Sequence, residues 1–386
     1  VTGATVAVLL AALVGHAVLW VGAVNRIHGL GLPRKVVASW SAACHATLIL
    51  LPLVFAGWLI TGGRVIPTEV SPVGWFSPAT WLWPTGSLDV ARLYLLVCLV
   101  VAIVHLPAWI RLRRATRPPA AVVRQEIRSV DVAARLGCWP AVGFKSRVLA
   151  RVPGNQLFQV NVETEYVEVD RLPAELAGIS ILHLSDFHFS GRIEPEYFHE
   201  VVSLANELQP DLVAITGDIC DFVPGIDWIA DIFGRLEAPL GKLFVLGNHD
   251  LRTRNVPRVR AAMVALGFAD VASAPVTLQL RGRPVFVAGN ELPWIRSPQP
   301  YDLSQGPAGA KPFRILLSHS PDQFDWARER KFDLMLAGHT HGGQIRLPWI
   351  GPIVCPSLHG IRYAGGTFFS QPTLMHVSRG ISSLLP

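Results

Sequence analysis

The apolar pattern changes character about a third of the way along the chain. Before that point, three nearly unbroken apolar runs, Ala4 to Val24, Val36 to Ile60 and Val90 to Ile110, each reach the ~20 residues that cross a hydrocarbon core about 30 Å thick. They predict three membrane-spanning helices within residues 1–115. No basic region precedes the first run and two spans follow it, which argues against a cleaved signal peptide. After Pro118-Pro119, apolar Val123, Ile127, Val130 and Ala134 recur at helical spacing opposite Arg124, Arg128, Asp131 and Arg135. That spacing predicts an amphipathic helix in a juxtamembrane segment, 116–155, either lying on an anionic leaflet or packed as a linker.

From residue 156 the pattern becomes strand, polar loop, helix. Leu157 to Val169 alternates as a strand or hairpin. Strands are predicted at Ile179 to Ser185, Asp211 to Thr216, Lys242 to Leu246, Phe313 to Leu317 and Leu334 to Ala337. Helices are predicted at Glu196 to Leu208, Ile226 to Leu236 and Val256 to Leu266, and a hairpin pairs Val276 to Leu280 with Val285 to Ala288. Pro293 to Lys311 is long and rich in Pro and Gly, as a flexible lid would be. A last strand is expected at Thr373 to Val377, shortly before the chain stops at Pro386. Strands alternating with helices give a layered α/β domain over 156–386, with sites at the strand ends.

Charge divides along the same line. Residues 1–155 hold 15 Lys and Arg against 4 Asp and Glu, whereas residues 156–386 hold 19 against 24. The basic pI of 9.3 and mean hydropathy of +0.38 therefore describe the membrane part, and a nucleic-acid partner is not expected for the acidic remainder. Arg26, Arg34 and Lys35 flank the first two spans, and Arg111, Arg113, Arg114 and Arg117 follow the third. The second connection carries only Arg64, with Trp75, Phe76, Trp81 and Trp83 as an interfacial belt. This asymmetry places the N-terminus outside and everything after Arg111 in the cytoplasm. Each span carries one histidine, His16, His45 and His105. His16 and His45 lie at similar depth, so they could face one another, although packing between helices is the commoner role. Five dispersed cysteines give neither a disulfide framework nor a metal pattern.

The chemistry lies at the strand ends. The blocks Asp186-Phe187-His188, Gly217-Asp218-Ile219-Cys220-Asp221, Gly247-Asn248-His249-Asp250, Ser318-His319-Ser320-Pro321 and Gly338-His339-Thr340-His341-Gly342-Gly343-Gln344 each follow an apolar strand. An isolated His-x-His is more often a polar turn, and one terminal Asp more often a cap. Five such ends in one domain point instead to a shared site. Aspartate oxygen, asparagine carbonyl and imidazole nitrogen together suit Mn, Fe or Zn rather than Ca or Mg.

In this order the five blocks resemble those of the calcineurin-like metallophosphoesterases, across essentially all of residues 157–386. Their subgroup is similar to bacterial membrane-bound phosphohydrolases such as those acting on UDP-2,3-diacylglucosamine. The resemblance implies a layered α-β-β-α sandwich holding two divalent ions. Asp186, His188 and His341 would hold one ion and Asn248, His319 and His339 the other, with Asp218 bridging. Two ions ~3.5–4 Å apart can clamp a phosphoryl group and lower the pKa of a bound water toward ~7, providing a hydroxide for attack. The resemblance also places His249 over the phosphate as acid or charge stabiliser. Asp250 would orient its ring, and Asp221 would support the site through hydrogen bonds or merely cap a helix. Arg252, Arg254, Arg258 and Arg260 would meet an anionic substrate or form a solvated basic helix.

The expected function is that of a phosphohydrolase anchored in a bacterial inner membrane, cleaving a phosphate ester or pyrophosphate of a phosphorylated small molecule or lipid. A metal-dependent nuclease is the alternative within the same chemistry, and an inert membrane-tethered scaffold is the alternative outside it.

Overall fold

The computed structural model describes residues 3–60, 87–115, 118–295 and 312–382. The belt expected at residues 75–83 lies outside them, as does all of the expected lid beyond Ile295. The chain forms two compact units, one made by the N-terminal helices and the other running from Pro118 to the C-terminus, the latter also including Gly29–Gly31.

The N-terminal unit consists of α1 (Gly3–His28), α2 (Arg34–Ile60) and α3 (Ser87–Ala115). All three are long and apolar enough to cross a membrane, over Val6–His28, Arg34–Gly57 and Leu93–Arg111. Gly15 of α1 lies against the backbone of Cys98 in α3, where any side chain would collide with the Cys98 carbonyl. This is the small-residue contact by which spanning helices pack closely. His16 is buried and shares a hydrogen bond of 2.6 Å with the Tyr94 hydroxyl, while His45 is exposed. The two histidines therefore do not form a facing pair. His16 serves helix packing instead, its other ring nitrogen lying 3.2 Å from the Leu48 carbonyl oxygen.

The second unit opens with β1 (Val122–Asp131), where the spacing predicts a helix. β1 pairs antiparallel with β2 (Gln159–Val167) along its whole length. Its β-branched Val122, Val123, Ile127 and Val130 suit a strand, and the long-range partner supplies backbone bonds that no local pattern reveals. Short helices α4 (Val132–Leu136) and α5 (Phe144–Ala150) connect the two strands. Val132, Ala141 and Ala150 join the main hydrophobic core, and residues 118–155 fall within the second compact unit.

Two sheets follow. The first is fully parallel, in the order β3 (Ile181–Leu184), β4 (Leu212–Thr216), β5 (Gly241–Val245), β6 (Phe268–Asp270), and its strands are connected by α6 (Pro195–Glu207), α7 (Gly225–Phe233) and α8 (Val256–Ala265). The second contains β7 (Val276–Leu280), β8 (Arg283–Asn290), β9 (Phe313–Ser318), β10 (Leu334–Ala337), β13 (Gly366–Ser370) and β14 (Thr373–Val377), with α9 (Phe324–Glu329) between β9 and β10. Its order is β13-β14-β10-β9-β8-β7, and β8, β9, β10 and β14 are parallel. A short ribbon of β11 (Ile345–Leu347) and β12 (Gly351–Val354) stands apart.

The period of two along each strand sets the layers. In β4, Val213 and Ile215 face the core shared with α6 and α7, while Leu212 and Ala214 face the second sheet. In β10, Leu336 faces the first sheet, while Met335 and Ala337 pack with Phe324 and Ala327 of α9. The result is α-β-β-α, with both sheets buried on both faces as parallel strands require. Their C-terminal ends converge on one edge.

Candidate metal centre

That edge carries every block singled out in the sequence. Asp186 and His188 follow β3, Asp218 follows β4, Asn248 and His249 follow β5, His319 follows β9, and His339 and His341 follow β10. Asp186, His188, Asp218, His339 and His341 all adopt left-handed backbone conformations, with φ between +48° and +72°. Such conformations are uncommon outside glycine, and they concentrate where the chain aims side chains at a functional point. Glycines clear the space around these residues. A Cβ on Gly247 would lie 2.2 Å from Asp218 Oδ1, and one on Gly338 would lie 2.8 Å from Asp186 Oδ2.

Three donor groups could hold an ion: one is His188, Asp221 and His249, and the other two flank Asp218. Asp186, His188 and His341 form one, with Nε2 of His188 and His341 3.2 Å apart and Asp186 Oδ1 3.5 Å from His341 Nε2. Asp218, His319 and His339 form the other, with Asn248 Oδ1 3.1 Å from His319 Nε2. Asp218 Oδ2 lies between them, 3.8 Å from His188 Nε2 and 3.2 Å from His319 Nε2.

Tautomers are fixed from behind. His188 Nδ1 lies 2.8 Å from Asp221 Oδ2 and His319 Nδ1 lies 2.7 Å from the Thr216 carbonyl, so each Nδ1 donates backward and each Nε2 faces the cluster. His339 Nε2 is buried without a hydrogen-bond partner, which a native interior seldom tolerates unless something else engages the atom. Burial lowers the pKa of His339 well below the ordinary range and also lowers that of His341, keeping both in the neutral form that ligates. Against burial, Asp218 raises His319 to about 9. The same histidine, together with His249, holds the buried Asp218 carboxylate well below its usual value. Buried carboxylates, imidazole nitrogens facing the cluster and an orphaned His339 Nε2 fit divalent cations, whose charge would replace the proton that Asp218 holds on His319.

Beside the cluster, His249 departs from expectation. Its Nδ1 lies 2.6 Å from Asp221 Oδ1, not beside Asp250. Asp250 is fully buried and accepts four backbone N–H groups, from Gly247, Asp218, Ile219 and Cys220. It ties the β4 and β5 loops together and does not orient His249, although it is next in sequence. Burial and the neighbouring Asp218 push Asp250 up to about 7, while burial pushes His249 down to about 4.

Arg252 places Nη1 3.0 Å from Asp221 Oδ1 and Nη2 2.9 Å from His249 Nε2. Because guanidinium only donates, Nε2 is the acceptor and His249 is the neutral Nδ1–H tautomer. The other arginines do not form a common rim. Arg258 pairs with Asp227, and buried Arg260 pairs with Asp270 and Glu291. His183 faces His376 and Thr216 between the sheets, as a strand residue would. Cys220 is buried, its thiol pushed well up by burial, which suits no nucleophile. Sequence reading missed Trp294, whose ring packs on His339 and His319 with centroids 4.6 and 5.6 Å away. Nothing in its Pro-rich surroundings signals that position.

The profile of the calcineurin-like phosphoesterases matches residues 179–343, a span that contains every grouped donor. A metallophosphoesterase of Bacillus subtilis, YkuE, is 33% identical over 214 residues, 54% of this chain and 74% of that protein. The chain belongs to the calcineurin-like phosphoesterase family. The phosphodiesterase YaeI of Escherichia coli is 27% identical over 212 residues, covering 54% of this chain and 77% of that protein. UDP-2,3-diacylglucosamine pyrophosphatase LpxG of Chlamydia muridarum is 26% identical over 268 residues, covering 55% and 81%. This calcineurin-like phosphoesterase is therefore a metal-dependent phosphoester hydrolase preceded by three apolar helices of membrane-spanning length.

Proposed function

We propose that the enzyme is anchored in a bacterial inner membrane by α1–α3, with its catalytic unit in the cytoplasm, and cleaves a phosphate ester or pyrophosphate of a lipid or nucleotide-lipid substrate. The observation that carries this reading is the divided donor cluster with Asp218 between its halves. Asp186, His188 and His341 would hold one divalent ion, and Asn248, His319 and His339 the other; Mn, Fe and Zn suit this mixed oxygen and nitrogen set. Two bound ions supply Lewis acidity toward phosphoryl oxygens and activate the attacking water.

The chain's own residues do the rest. Asp221 fixes the His249 ring through Nδ1, which leaves Nε2 turned toward Arg252. The Arg252 guanidinium donates to Nε2. A phosphoryl oxygen is a stronger, charged acceptor and would draw Arg252 away. His249 Nε2, taking a proton from solvent once the bound phosphoryl charge offsets the burial that holds its pKa at about 4, would then donate that proton to the leaving oxygen. Trp294 walls the His339 side against water.

Two observations support a lipid-like substrate. One relative is a UDP-2,3-diacylglucosamine pyrophosphatase. The ribbon that leaves the Gly338–Gln344 motif exposes Ile345, Leu347, Trp349 and Ile350 in succession beside the site. The test is hydrolysis of bis(p-nitrophenyl) phosphate with Mn in detergent, followed by a panel of lipid phosphates and UDP-diacylglucosamine. Loss of aryl phosphate hydrolysis by ~10²-fold or more in Asp218→Asn is expected. Undiminished activity in Asp218→Asn would contradict the assignment, and failure on every lipid substrate would contradict its lipid part.

A further inference from the structure

Helix α5 is built inside out. Its small residues Ser146 and Ala150 are buried, whereas Phe144 is 85% exposed and Val148 47%. Phe144 and Val148 stand four residues apart on the helix and form one outward face, and Val152, 49% exposed, follows just past the helix end. Trp139 and Val142 extend this face, at 50% and 40% exposure. Water favours the opposite arrangement, and a contiguous apolar patch of this kind marks an interaction surface.

The charge around the stripe says what covers it. Lys145, Arg147 and Arg151 are interleaved with the apolar residues, and residues 132–158 contain no Asp or Glu. Among the described residues, none of these three cations enters an ion pair. Arg147 Nε donates to the Ala141 carbonyl at 3.1 Å, which holds its guanidinium near the loop that carries Trp139. Trp139, Arg147 and Arg151 line a cleft of about 260 Å³, and Trp139 also borders a second cleft of about 370 Å³ lined by Ala150, Leu157 and Phe158 together with Asp131, whose carboxylate caps α4. An apolar stripe set among cations, with Trp at its margin, has the composition of an interfacial membrane helix. Six residues, 116–121, join α3, which ends at Ala115, to β1, which begins at Val122, a tether of at most roughly 25 Å.

We infer that the α5 face is a docking surface for an anionic lipid leaflet, with Phe144, Val148 and Val152 entering below the headgroups and Arg147 and Arg151 taking headgroup phosphate beside Trp139. This rests on the membrane attachment proposed above but is independent of the substrate. The surface would set how the catalytic unit stands on the leaflet, which tethering alone leaves open.

Trypsin tests this directly, because Lys145, Arg147 and Arg151 are its cleavage sites. The full chain is reconstituted in nanodiscs of phosphatidylcholine alone or with 30% phosphatidylglycerol, and cleavage within 145–151 is followed by mass spectrometry. Cleavage should be about 10-fold slower or more in the anionic discs, each cation contributing roughly five-fold in affinity, and 0.5 M salt should restore it. The double variant Phe144→Ser/Val148→Ser should lose the protection while keeping wild-type hydrolysis of bis(p-nitrophenyl) phosphate, since both side chains are outside the core. Equal cleavage in the two discs would overturn the inference. So would protection in detergent that grows with protein concentration, which would make the face a contact between copies. An enzyme without phosphoesterase activity but with anionic-lipid protection would leave this surface standing and remove the catalytic reading.

Discussion

Asp221 links His188 to His249: one carboxylate oxygen lies 2.8 Å from His188 Nδ1 and the other lies 2.6 Å from His249 Nδ1. A single side chain thus orients a candidate metal ligand and the candidate proton donor together. Asp221→Asn should lower kcat by roughly 10–100-fold and weaken metal binding by a similar factor, with little change in Tm. Asp250→Ala should do the reverse in order of effect. It leaves four buried N–H groups without an acceptor, at about 1–3 kcal/mol for each that stays unsatisfied, so thermal unfolding should shift down by many degrees before any kinetic defect is interpretable. Thermal melts and steady-state kinetics on the two variants distinguish the roles.

Arg252 bridges Asp221 and His249, where an incoming phosphoryl group would compete for it. Arg252→Ala should raise KM by about 10-fold for a substrate with a charged phosphate. Arg254→Ala, at an exposed position outside the cluster, should leave KM within two-fold. Equal effects of the two substitutions would remove the assigned role of Arg252.

Gly247 is the narrowest point of the site, its hydrogen facing Asp218 Oδ1 and the His319 ring. Gly247→Ala should displace Asp218 and lower metal affinity by about 10-fold or more, while far-UV circular dichroism stays unchanged. Metal titration by calorimetry checks this; wild-type affinity in Gly247→Ala would show that the close approach is unimportant.

Much of the domain was legible because parallel strands buried on both faces read as apolar runs, each ending in a polar block. Leu334 to Ala337 is predicted and found at the same residues, and β3, β4, β5, β8 and β9 shift by at most two residues at either end, whereas the three-residue parallel strand β6 is not predicted. The donors were legible because each lies within four residues of such an end. β1 was not, since its apolar residues fit either period and its partner lies more than twenty residues away. The orienter of His249 was not legible either. Adjacency suggests Asp250, but left-handed Asp218 turns the β4 loop so that Asp221 reaches the ring and Asp250 turns inward. Trp294 and the inverted α5 depend on tertiary packing, for which no local pattern exists.

The central claim is a donor cluster divided between two ions and bridged by Asp218. Metal content of the purified, Mn-loaded full chain, measured by inductively coupled plasma mass spectrometry after desalting, tests it most directly. About two ions per chain are predicted for wild type, and about one for His339→Ala and for His341→Ala. A wild-type ratio that saturates at one, or two ions retained in both variants, would contradict it.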